Sequence, residues 1–166
     1  MKVIQAPHRV DWKAPVTIFL AGSIEMGAAS EWQQEAIELF EELIPKRLNG
    51  KYQILNPRRD DWDNTVLNDF EDPVFSQQVN WELRGLRESD LVLTYFDPGT
   101  VSPITLLELG AFAHKMVVVC PEGYEKKGNV DIFCDANRIA QKGDLREAVK
   151  LIIKRTKTRA SCKYAY

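Results

Sequence analysis

The sequence predicts an α/β protein, a three-layer sandwich in which helices cover both faces of a five-stranded parallel sheet of order 2-1-3-4-5. Three observations predict it. Short unbroken apolar runs, VTIFLA (16–21), LVLTYF (91–96) and MVVVC (116–120), have the length and composition of strands covered on both faces. The segments between them carry apolar residues at helical spacing, with start and stop signals. Strands alternating with helices make right-handed crossovers, and therefore a parallel sheet.

In chain order, residues 1–15 read as an irregular arm, and 16–21 as the first strand, ended by Gly22 and Ser23. Ser30 begins S-E-W-Q, a capping-box pattern with Gln33 at the third helical position; Trp32, Ala36, Leu39, Phe40 and Leu43 then keep helical spacing up to Pro45. Residues 52–55 form a second strand closed by Asn56-Pro57. The polar run PRRDDWDNTVLNDFED (57–72) is long for a loop in a compact domain, and such loops are more often functional than accidental. Asp72-Pro73 starts a helix through Val79, Leu83 and Leu86 to Ser89. Residues 91–96 are the third strand, followed by Asp97-Pro98-Gly99. Ser102-Pro103 then reads as an N-cap with proline in the first turn of a helix reaching Lys115. Residues 116–120 are the fourth strand and 138–140 a short fifth. Gly143-Asp144 starts a last amphipathic helix, and 157–166 form a basic, then aromatic, tail. The whole, residues 1–166, reads as one domain with the flavodoxin-like strand order.

Composition narrows the function. With 45% hydrophobic and 28% charged residues the chain has the balance of an ordinary globular protein, and its 166 residues suffice for a sizeable core. A formal net charge of −2 and a pI of 5.8 point to a small ligand rather than to a nucleic-acid polymer or an anionic membrane. The amino terminus lacks the apolar core of a secretion signal, and no apolar run approaches membrane-spanning length, so a cytoplasmic protein is expected. Cys120, Cys134 and Cys162 are an odd number without close pairing, and only His8 and His114 are present; neither a disulfide framework nor a metal site is expected, and no cofactor.

The chemistry centres on Glu108. In the helix VSPITLLELGAFAHK (101–115), positions four apart share a face, so Glu108 lies beside Ile104 and Phe112, while Leu106, Leu107, Leu109, Ala111 and Ala113 fill most of the remainder. A helix apolar nearly all round is a buried one, and a carboxylate inside it must be paired, hydrogen-bonded or facing a cleft. The plain alternative is an acid on a partly exposed helix edge. Gly110 adds the expectation of a close approach by a backbone or ligand. In open α/β sheets ligands bind beyond the carboxyl ends of the strands where the strand order reverses, which selects Gly22-Ser23, the Pro57 loop and residues 97–102 as neighbours of Glu108.

Several side chains there have two readings. Trp62 either stacks on a base or anchors the loop; Arg58 and Arg59 either read a ligand or form a solvated salt-bridge patch. Asp60 has a base edge or solvent open to it. Asp97 is either a ligand contact or ordinary turn chemistry. Trp81 reads as packing. Gly22-Ser23 follows the first strand as a phosphate-binding turn would but lacks both G-x-G-x-x-G and G-K-S/T, which argues against dinucleotide and Walker-type sites.

With IFLAGS (18–23), NPRRDDW (56–62), NWELRGLRESD (80–90) and LLELGAFA (106–113), in that order, the chain resembles the nucleoside 2-deoxyribosyltransferases and their nucleotide N-glycosidase relatives over roughly residues 17–129. The resemblance implies that Glu108 is the nucleophile of a retaining two-step transfer of 2-deoxyribose between nucleobases through a deoxyribosyl-glutamate ester. It also implies that Glu82 stands where the family carries an aspartate contacting base or sugar. Phe19 replaces a tyrosine whose hydroxyl orients the nucleophile in many members. Ser102 stands where transferases often have an acid and hydrolase relatives a serine near a substrate phosphate. Asn129 resembles an asparagine that reaches a neighbouring subunit's sugar, which implies a homo-oligomer. Gly22, Ser23, Asp60, Trp62 and Asp97 complete the expected substrate-binding set, with a nucleoside and a nucleobase as partners. The alternatives are an N-glycosidase acting on deoxynucleosides or their 5′-monophosphates, and a non-catalytic nucleotide-sensing module on the same fold. A flavin-binding protein is the least favoured.

Overall fold

The computed structural model describes residues 1–24, 29–63 and 65–161. Its centre is β2 (Val16–Gly22), buried at every position up to Ala21, as a strand sandwiched between two helical layers must be. It pairs in parallel with β3 (Tyr52–Asn56) on one side and β4 (Leu91–Tyr95) on the other. Beyond β4 lie β5 (Met116–Val119) and β6 (Ala140–Lys142), again parallel.

The sheet has six strands, not the expected five, and its order β1-β3-β2-β4-β5-β6 differs accordingly. The additional strand, β1 (Lys2–Gln5), comes from the segment read as an irregular arm and pairs with β3, Lys2 opposite Gln53 and Gln5 opposite Asn56. An edge strand needs little apolar content; here Ile4 alone is buried, so KVIQ carries almost no periodic signal. Among the other five strands, β3 and β4 flank β2, and this reversal of order places a crevice at their carboxyl ends.

One face of the sheet is covered by α1 (Trp32–Leu43) and α5 (Leu145–Ser161), the other by α2 (Pro73–Glu88), α3 (Pro103–Phe112) and α4 (Lys127–Ala136). Val16, Ile18 and Leu20 point to the first layer, where Trp32 and Phe40 are fully buried. Phe19 and Ala21 point to the second, against Leu86, Leu109 and Val130. Each such large apolar side chain contributes about 1.5–3 kcal/mol of burial.

Four local expectations are corrected. Helix α1 starts from Glu31 rather than Ser30, because the Ser30 amide and hydroxyl donate to Asp97 instead. Helix α4 was absent from the expected elements; it buries only Val130 and Cys134, four residues apart, a weak pattern beside Gly128. The last strand falls at Ala140–Lys142 because Arg138, with φ of 55°, turns the chain out of α4 first. Helix α5 takes in the start of the expected tail, burying Thr156 and Ala160. Asp72, by contrast, caps α2 as its sequence indicates, accepting from the Val74 and Phe75 amides.

Helix α3 is not buried all round. It buries Thr105 and Leu109, while Ile104 and Leu107 are 62% and 70% exposed. Gly110 is exposed with open space around it, so among the described residues no backbone or side chain approaches there.

Candidate active site

The crevice is shaped first by backbone. Gly22, at the end of β2, has φ of +153°, and a Cβ there would lie 2.3 Å from the Tyr95 carbonyl oxygen and 2.8 Å from the Trp32 ring, so only glycine lets the strand end this close to β4. Ser23 follows, buried, and its hydroxyl accepts from the Asp97 amide (3.0 Å) and from the Thr100 hydroxyl (2.8 Å) and pairs with the Ser102 hydroxyl. The Ser102 hydroxyl also meets Thr100 at 2.6 Å. Ser102 holds the N-cap position of α3 in a left-handed conformation (φ 51°, ψ 49°), yet its side chain does not cap the helix; it joins this hydroxyl cluster. The cluster ties β2 to the start of α3 and so fixes where α3 leaves the sheet.

On the opposite wall, α2 lies directly on Phe19. A Cβ at Gly85 would come within 2.5 Å of the Phe19 ring, so glycine permits the contact. One turn earlier on the same helix face, Glu82 reaches the crevice. Gln78, a further turn back, donates through Nε2 to Glu82 Oε1 (2.8 Å) and to the Pro57 carbonyl (2.9 Å), joining α2 to the loop after β3.

Two lobes result. The inner, of about 340 Å³, is lined by Phe19, Gly22, Ser23, Ser102, Ile104, Thr105, Glu82 and Glu108 among others. The outer, of about 360 Å³, is lined by Arg58, Arg59, Asp60, Trp62, Gln78 and Val79, and shares Ile24, Pro57, Phe75 and Glu82 with the inner one. Glu82 thus stands at the junction.

The two carboxyls are electrostatically coupled. Burial pushes Glu108 up to about 8, with the Glu82 charge adding to the effect. Burial also raises Glu82, partly offset by the hydrogen bond from Gln78. Near neutral pH the pair therefore holds a proton, which belongs to both groups rather than to one. Among the described residues Glu108 has no hydrogen-bond partner, so in place of the missing tyrosine hydroxyl nothing orients it: Phe19 offers a ring only. An unanchored carboxyl in an apolar lobe beside a second, anchored carboxyl can attack an electrophilic carbon while its neighbour carries a proton.

The long loop contributes differently. Arg58 is bound to the start of α1, donating to the Ser30 carbonyl (2.8 Å), Gln33 Oε1 (3.3 Å) and Glu31 (2.6 Å). Arg59 is held in a fork by Asp61 (2.9 and 3.1 Å) with its guanidinium 5.5 Å from the Trp62 ring centroid. Both arginines are thus engaged in ion pairs. Asp60, exposed, and Trp62, half-buried, line the outer lobe.

Asp97 and Asn129 line neither lobe. Contrary to the ligand contact expected of it, Asp97 is buried and accepts from Ser30 (2.9 Å from the amide, 2.6 Å from the hydroxyl) and from the Gly99 amide (2.9 Å). Burial pushes its carboxyl up, but these hydrogen bonds outweigh it and hold the group below its usual range. Its job is to tie the turn after β4 to the entry of α1. Asn129 is exposed on the first turn of α4. Gln78 and Thr105 were not among the expected site residues; Gln78 is signalled only by standing four positions before Glu82.

Among the described residues no cluster of His, Cys, Asp and Glu could hold a metal ion. Cys120 and Cys134 are buried, their thiols pushed up to about 12 and about 11 by burial, and so are inert. Cys162 lies outside the described residues. No described helix is long and apolar enough to cross a membrane.

The carboxyl pair thus stands in a crevice where the strand order of a parallel α/β sheet reverses, the place where ligands bind in such sheets. Residues 15–124 match the family described as nucleoside 2-deoxyribosyltransferase like, and the chain belongs to that family. A search of curated proteins found no match.

Proposed function

We propose that the protein is a nucleoside 2-deoxyribosyltransferase that works through a covalent deoxyribosyl-Glu108 ester. The observation that carries the reading is the unanchored Glu108 carboxyl in the inner lobe, beside a Glu82 fixed by Gln78. With the sugar in the inner lobe and the base in the outer, Glu108 attacks the anomeric carbon, the bond from that carbon to the base nitrogen breaks, and Glu82 gives its proton to the departing base. The incoming base then attacks the same carbon, the ester bond breaks, and the proton of the new base returns to Glu82. Two inversions leave the configuration retained, and each step passes through an oxocarbenium-like transition state. Asp60 and Trp62 line the lobe assigned to the base, the latter as a stacking surface. Asn129, exposed on α4, is assigned to the sugar of a neighbouring subunit in a homo-oligomer.

The test is a chromatographic exchange assay: deoxythymidine plus adenine should yield deoxyadenosine. A second reading, hydrolysis of a deoxynucleoside 5′-monophosphate, draws support from the Ser23, Thr100 and Ser102 hydroxyls gathered beside the inner lobe. Base release from deoxythymidine 5′-monophosphate at the same rate with and without adenine would replace the first reading by the second. Binding without turnover would replace both by a sensor.

A further inference from the structure

A second cavity, of about 790 Å³, lies between the amino-terminal segment and the outer side of α2. Its amino-terminal residues, Lys2 to Lys13, precede the family match, which begins at residue 15, and it shares no lining residue with either lobe of the crevice. Two tryptophans and four cations line it: Trp12, Trp81, Lys2, Arg9, Lys13 and Arg84. The arrangement is fixed by contacts rather than by chance proximity. Trp81 Nε1 donates to the His8 carbonyl (2.9 Å), which holds the segment against α2, and the Arg84 guanidinium lies 4.8 Å from the Trp12 ring centroid.

Charge distinguishes this groove from both lobes of the crevice. Its one carboxylate, Asp11, accepts from the Lys13 amide, and among the described residues none of the four cations forms an ion pair. Four cations less one carboxylate leave a local charge of +3 on a chain whose formal net charge is −2. Uncompensated guanidinium and ammonium groups favour phosphate oxygens, and indole rings favour a flat heteroaromatic ring. The volume lies within the range of small-molecule sites.

From this we infer that the groove is a second ligand site, for a nucleoside polyphosphate, with the base against the tryptophans and the phosphates on the cations. A nucleoside without phosphates leaves the charges unmatched, and inorganic triphosphate leaves the rings unused. A single-stranded nucleic acid shares both chemistries, but the acidic balance of the whole chain disfavours a polymer.

The experiment is calorimetric titration of the full chain, carrying Glu108→Gln to prevent turnover, with deoxyadenosine triphosphate in the presence of excess deoxythymidine. The expected result is saturable binding that deoxythymidine does not displace. Charge reversal by Arg9→Glu with Lys13→Glu should weaken it about tenfold or more, and inorganic triphosphate should bind at least about tenfold more weakly. Trp12→Leu should weaken it about fivefold. Arg9 and Lys13 are exposed, so the charge reversals locate the site even if Trp12→Leu fails to fold or the crevice binds no deoxythymidine. The inference is overturned by absence of saturable binding at millimolar nucleotide, by displacement with deoxythymidine, or by charge-reversal variants that bind as well as the parent. Equal affinity for inorganic triphosphate, or tighter binding of an oligodeoxythymidine strand than of the nucleotide, would overturn it too.

Discussion

Glu82 and Glu108 line the same inner lobe but are held in opposite ways. Glu82 is anchored by the Gln78 amide, whose other proton is committed to the Pro57 carbonyl; Glu108, among the described residues, has no such donor. Both are half-buried and both are raised, so burial alone does not distinguish them. Anchoring does. A fixed carboxyl suits a group that passes a proton along one direction, and an unfixed one suits a group that must move onto a carbon atom and off again. The raised Glu108 is the cost of that freedom, because no hydrogen bond offsets its desolvation.

The largest effect should come from removing the free member. Glu108→Ala should lower base exchange by about a thousandfold or more, measured as kcat in the chromatographic assay, while leaving deoxynucleoside binding detectable. Removing the proton from the anchored member should cost less: Glu82→Gln should reduce kcat about a hundredfold. On the proposed mechanism the singly protonated pair is the active form, so in the parent kcat/KM should fall on the alkaline side near pH 8, where the remaining proton is lost. The residual activity of Glu82→Gln should lack that alkaline fall, because the one proton left to lose, that on Glu108, must leave before this carboxylate can attack. An unchanged alkaline limb in that variant would break the contrast between the two groups.

A smaller effect is readable without any substrate. Glu108 sits at about 8 in the folded chain against an ordinary 4.5, so its protonated form is favoured by folding. Its contribution to stability is complete below about pH 4.5 and is lost as pH rises through about 8. Glu108→Gln should therefore match the parent in thermal unfolding at pH 4 and exceed it by about 2 kcal/mol at pH 9, after allowance for partial solvent screening. The least effect is expected at the anchor itself. Gln78→Leu frees Glu82 and the Pro57 carbonyl together and should lower kcat/KM about tenfold or less, with the acidic limb of the pH profile displaced upward because a hydrogen bond that favours the charged form is gone.

How much of this the sequence reveals depends on how many side chains each feature buries. The strands β2, β4 and β5 are plain because every position faces a helix layer, and α2 is plain because Asp72-Pro73 is a complete start signal. Strand β1 and helix α4 are not, since one buries a single isoleucine and the other two residues a turn apart. Composition misleads at α3: LLELGAFA reads as buried on all sides, but burial follows from which faces meet the sheet, and Leu107 meets none. The site is legible as a set of letters, Glu82, Glu108 and Ser23, together with the ends of the strands that carry them. The role of Asp97 is not, because a carboxylate at the end of a strand serves a ligand or a distant serine equally well, and only the folded chain brings Ser30 within 2.6 Å. Gln78 escapes notice for a related reason: a glutamine on a helix has no chemistry of its own until its two acceptors are known.

The contact between Gly85 and the Phe19 ring works as a gauge block. Any larger residue at position 85 meets the Phe19 ring, so either the ring gives way or α2 lifts from the sheet; where the helix lifts, Glu82, three positions earlier, rises with it and widens the junction between the two lobes. Selection for bulkier bases would therefore begin at a residue no substrate touches, trading helix seating for aperture.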